Sequence, residues 1–150
     1  MRNLVSGVLT LAVVGIVTLC TGAAWSQYSG ALGAVGAKST TVLQTSKTAI
    51  HQDFQYPRQD AEVTTLLVEI APGGQTGRHL HPVPEVACVL DGTVTVAIDG
   101  QGEKVYKAGD CLVEAINTWH NGMNKGIRPV KILAVFVGEK GKANVVRPPQ

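Results

Sequence analysis

The chain has 150 residues, of which 16% are charged, 45% hydrophobic and 5% aromatic, and its net charge is +2 at neutral pH. This is room for one ordinary domain, and its aliphatic content with so little net charge excludes a disordered acidic or basic tail protein. The 13 cations are scattered without a basic footprint, so no nucleic-acid partner is expected, and the 3 cysteines are too few for a disulfide-stapled scaffold.

In chain order, Arg2 precedes the uncharged run Leu4–Leu19, and the small residues Thr21, Gly22, Ala23 and Ala24 follow it. A positive start, an apolar middle and a small-residue end make a secretory signal over residues 1–26, cut after Ala24-Trp25-Ser26. Two alternatives stand beside it. The run approaches the roughly 17 residues that span a bilayer, so an uncleaved anchor is one. A lipid-modified Cys20 is the other, which the bulky Leu19 before it disfavours. The expected location is secreted or periplasmic, with membrane contact only if residues 1–26 stay attached. Cleavage removes Cys20 and leaves Cys88 and Cys111 as either a disulfide or two buried thiols.

Residues 27–60 read as a spacer and N-terminal arm. The first part, 27–40, is Gly/Ala-rich without periodicity, and residues 41–60 are polar with one short edge strand expected at Thr41–Leu43. Residues 61–140 read as a β-barrel and 141–150 as a C-terminal tail. The expected strands are Val63–Ile70, Val83–Leu90, Thr93–Ile98, Val105-Tyr106, Cys111–Ile116 and Val130–Val137. They are punctuated by Ala71-Pro72-Gly73-Gly74, Asp91-Gly92 and Asp99-Gly100, turn sequences that favour tight reversals. Short strands at this spacing, with no amphipathic helix, predict an all-β sandwich or barrel.

Chemistry concentrates in two stretches. In the first, Gly73 is followed after five residues by His79-Leu80-His81, after three more by Glu85, and after six more by Gly92. Strand period puts His79, His81 and Glu85 on one face with Val83, Ala87 and Val89. A carboxylate on such an apolar face is costly unless paired, and one divalent cation would satisfy all three groups. Pro82 and Pro84 lack the N–H a ladder needs, so the strand is expected to be interrupted there, as suits a site that admits a ligand. The second stretch runs from Gly109 to His120 and Asn124. His120 lies on another strand and could complete a four-ligand set. His51 has no partner pattern and reads as structural. Glu114 reads as a solvated strand residue, with an inward orientation as the alternative; Arg78 reads as facing away from His79, Trp119 as packing between sheets, with a place at the pocket mouth as the alternative, and Tyr106 as a sheet residue.

These two stretches resemble the two motifs of the cupin superfamily. Gly73 to Gly92 meets the first at every fixed position. In the second, Gly109, His120 and Asn124 match, while Ala115 stands for the usual proline and Asn117 for the usual glycine. Asn tolerates positive φ, so the turn before His120 can survive. The resemblance is to a small single-domain cupin of quercetin-dioxygenase-like type. It implies a double-stranded β-helix, or jelly-roll barrel. It also implies a metal held by His79, His81, Glu85 and His120, a supporting role for Asn124, and a homodimer. The ion would be a divalent Fe, Mn, Ni, Zn or Cu. Glu85 would be either a fixed ligand or a base that swings free. The functional expectation is an exported, metal-dependent enzyme acting on a small molecule, dioxygenase-like or isomerase-like. The alternative is a non-catalytic metal- or ligand-binding module of the periplasm or cell envelope.

Overall fold

A computed structural model describes residue 36 and residues 38–149. The expected signal and most of the spacer lie outside these residues. The described part is all-β, with no helix. Its strands are β1 (Ala61–Ile70), β2 (Glu85–Asp91), β3 (Thr93–Ile98), β4 (Gly102–Lys107), β5 (Cys111–Val113), β6 (His120–Met123) and β7 (Val130–Glu139). They form a four-stranded sheet in the order β1-β7-β2-β5 and a three-stranded sheet in the order β4-β3-β6, both antiparallel. This is the jelly-roll barrel expected from the sequence.

The core lies between the sheets. Ile70, Val89 and Val130 come from the larger one and Val94, Val96 and Ile98 from the smaller. Each such side chain removed from water contributes about 1.5–3 kcal/mol. The alternation of Thr93–Ile98 is thus read directly by burial, although Thr95 is buried too. At the turn into β3, Gly92 has φ 78°, and a Cβ there would meet the Pro129 carbonyl oxygen at 2.7 Å. Only glycine satisfies both demands.

Strand ends differ from expectation for local reasons. β2 begins at Glu85 rather than Val83, because Pro82 and Pro84 cannot donate to a ladder. Before them, His79 and His81 make single bridges with His120 and Ile116. β5 stops at Val113 rather than Ile116, as the chain leaves β2 to turn toward His120. No strand forms at Thr41–Leu43; the bridge in this region joins Lys47 to Asp53 instead. There the arm covers the open edge of β5. Ala49 N–H donates to the Val113 carbonyl at 2.7 Å, and the Gln52 side chain bonds both the N–H and the carbonyl of Ile116. An edge strand is thereby shielded from other chains. β5 is also pinned covalently, since Cys88 and Cys111 face each other across β2 and β5 and form a disulfide.

Candidate metal centre

The bridges and strand starts that interrupt the regular ladder bring the chemical residues together. His79 and His120 exchange backbone hydrogen bonds of 2.9 and 2.8 Å. The His81 carbonyl accepts from Asn117 N–H at 2.8 Å. Asn117 has φ 51°, so asparagine takes up the left-handed turn that glycine would occupy. The Glu114 N–H donates to the Glu85 carbonyl at 2.9 Å, which sets Glu114, just past the end of β5, beside Glu85 at the start of β2. All three imidazole rings and Glu85 are buried.

Each ring is held from behind. Nδ1 of His79, His81 and His120 lies 2.7, 3.0 and 2.9 Å from the carbonyls of Gly77, Asn144 and Thr118. A carbonyl only accepts, so Nδ1 carries the proton and Nε2 of the neutral ring offers its lone pair to the centre. The rings stand 4.4–4.9 Å apart, centroid to centroid. Glu114 Oε2 lies 2.8 Å from His120 Nε2 and 3.3 Å from His81 Nε2, and Glu85 Oε2 lies 2.8 Å from His81 Nε2. Donor atoms of His79, His81, Glu114 and His120 all fall within 4.8 Å of one another. Despite these close approaches, Glu85 Oε2 and His120 Nε2 have no aligned hydrogen bond and are buried orphans. Buried polar atoms without partners need an explanation, and a cation among them supplies one. Imidazole and carboxylate donors in this arrangement fit a single divalent metal ion.

Electrostatics at the cluster favour positive charge. Burial and then the Glu114 carboxylate raise the pKa of Glu85. Burial works against Glu114 as well, but His120 and His81 more than reverse it and hold Glu114 well below the usual carboxylate range. Burial also depresses His81, yet Glu114 and Glu85 push it up to about 10. His120 is raised by Glu114 against the effect of its own burial. His79 touches neither carboxylate closely, and burial pulls it down to about 4.

His79, His81, Glu85 and His120 therefore line one cavity, and Glu114 joins them. Glu114 is not the solvated residue expected, because it follows the inward-facing Leu112 by one strand period. That alternation was available in the sequence and marks Glu114 as inward. Arg78 faces away from His79, paired with Asp99 and stacked 4.7 Å over the Trp119 ring. His51 is exposed and outside the cluster. Asn124 is buried, its amide donating to the carbonyls of Ile70 and Arg128. The cavity is about 240 Å³ and mostly apolar, walled by residues such as Val68, Leu112 and Phe136.

Residues 66–136 match the cupin domain family. This stretch of the barrel is similar to cupin domains. Among solved structures it is similar to the oxalate decarboxylase of Lactobacillus farciminis in its formate complex, with 27% identity and a TM-score of 0.50 over 56% of this chain and 26% of that one. The DMSP lyase of Ruegeria pomeroyi is 22% identical with a TM-score of 0.51, over 59% of this chain and 43% of that one. A cupin-superfamily sugar phosphate isomerase of Silicibacter pomeroyi is 28% identical with a TM-score of 0.46, over 51% of this chain and 50% of that one. The chain thus spans half or less of each of these proteins. No curated protein matches it.

Proposed function

We propose that this protein is an exported, metal-dependent cupin enzyme acting on a small oxygen-bearing molecule. The observation that carries the reading is the convergence of three backbone-tethered imidazoles, the buried Glu85 carboxylate and the half-buried Glu114 carboxylate, with two orphaned polar atoms among them, at an otherwise apolar cavity. His79, His81 and His120 would hold the ion with a carboxylate from Glu114 or Glu85. When bound, the ion would supply Lewis-acid or redox chemistry at coordination positions left free by the protein. The carboxylate that is not a ligand would be placed to hold or move a proton. The likeness to an oxalate decarboxylase supports chemistry on a small acid, and dioxygenase-like and isomerase-like reactions belong to the same reading. The reading includes removal of residues 1–26 and pairing as a homodimer through Val63 and Leu67, which stand exposed on the outer face of edge strand β1.

The test is turnover, followed by NMR, of oxalate and of small hydroxy- and oxo-acids by the metal-loaded protein and by His81→Ala. Turnover by the first and none by the second is expected. Binding without turnover across the panel would favour a non-catalytic ligand-binding module instead.

A further inference from the structure

We propose that Arg147, in the C-terminal segment, is the anion-recognition residue of the cavity, and that it selects a small monocarboxylate with an aliphatic body. This rests on the reading of the cavity as a ligand site and names the class of ligand it takes.

Arg147 is the one lysine or arginine lining the cavity among the described residues. Most other cations at the surface have an acid partner: Arg78 with Asp99, Lys125 with Glu103, Arg128 with Asp91, Lys131 with Glu69. Arg147 has none within 4.0 Å among the described residues. Its place is nevertheless built. Val146 beside it exchanges two backbone hydrogen bonds of 2.9 Å with Leu80, which lies between His79 and His81. One guanidinium nitrogen donates to the Thr76 carbonyl at 3.1 Å. The Thr76 hydroxyl lies 3.5 Å from His79 Nδ1, so the arginine anchor and a metal-site ring share a residue. Gly77 leaves room for this, since a Cβ there would come within 3.3 Å of the same nitrogen.

A guanidinium has five N–H donors in a planar fork. One is engaged with Thr76, and the rest can meet a carboxylate in the two-point geometry that arginine favours. The protein's own carboxylates in the cavity, Glu85 and Glu114, lie among the histidines, and Arg147 is the one guanidinium on the wall, so a ligand carboxylate finds its two-point partner there. One cation balances one negative charge, which fits a carboxylate better than a phosphate dianion. The remaining wall is largely aliphatic, Leu66, Val68 and Val145 among it, and suits a hydrocarbon body. A second oxygen on that body would reach toward the metal.

The experiment measures binding of three- to six-carbon oxo-acids and of their primary amides by calorimetry and ligand-observed NMR. It uses the full protein, zinc-loaded and metal-free, as wild type, Arg147→Leu and Arg147→Lys, with metal content determined for each. Wild type is expected to bind an acid at least about tenfold more tightly than its amide, as charge-assisted hydrogen bonds allow. Arg147→Leu should lose that preference while amide binding and metal content stay unchanged, and Arg147→Lys should keep part of it. Equal binding of acid and amide by wild type, an undiminished preference in Arg147→Leu, or no binding of any acid overturns the proposal. Failure of metal uptake would overturn the metal reading alone, because the acid-over-amide preference still reports on Arg147 in the metal-free protein.

Discussion

Burial depresses His81, but Glu114 and Glu85 reverse this and bring it up to about 10, so in the metal-free protein at pH 7 its ring carries a proton on both nitrogens. A metal can bind Nε2 only after that proton leaves. Calorimetry at pH 7 in buffers of different ionisation enthalpy should therefore show release of at least one proton per ion bound, and affinity should fall as pH is lowered. Metal-free stability follows the same shifts. The folded pKa of His81 lies above the ordinary 6.5, so its contribution is full below pH 6.5 and is lost as pH rises toward 10. His79, lowered to about 4, contributes above pH 6.5 and loses its contribution as pH falls through 4. Glu114→Gln should flatten the alkaline arm of the metal-free melting profile, because Glu114 is the strongest influence raising His81; an unchanged arm would contradict the assignment. A different kind of residue effect belongs to Asn124. Its amide donates to two backbone carbonyls and its oxygen accepts from Gly126 N–H. Asn124→Ala should cost about 3 kcal/mol in denaturant unfolding, since buried backbone groups lose their partners.

At the scale of elements, β5 is the shortest strand and the most dependent on others. It has three residues, a disulfide to β2 and the arm along its open edge. The cysteines are separated by 23 residues in sequence, and closing such a loop stabilises by about 3 kcal/mol on chain-entropy grounds. Replacing both by serine should lower unfolding free energy by about that amount and weaken metal binding, because Glu114 follows β5 directly. Undiminished metal affinity in that variant would detach Glu114 from the ion. The same element shows where sequence stops being informative. The strands and the His79–Val89 face were legible because their signals are local: alternation, Pro82 and Pro84, and the Asp-Gly turns. The apposition of Glu85 with Glu114 depends on the register of β2 against β5, which no spacing within either strand sets. Arg147 was illegible for a similar reason, since its place comes from a single bridge between Leu80 and Val146.

For the whole molecule, two sheets supply a mostly apolar chamber, and the irregular segments furnish it with polar groups. The segment before β2 brings His79 and His81, and the start of β6 brings His120. The chain after β7 brings the Asn144 carbonyl that orients His81 and the guanidinium of Arg147. A ligand bound by so many separate segments must couple to global stability. A metal at a hundredfold excess over its dissociation constant adds about 2.7 kcal/mol. For a domain of this size that raises the melting temperature on the order of 10 °C, a rise that a chelator should reverse. The account stands most directly on metal stoichiometry, measured by elemental analysis of protein purified without chelator, for wild type and for a folded His81→Ala variant. It predicts close to one divalent ion per chain in the first and a large loss in the second; wild type without metal, or a variant that retains it in full, would contradict it.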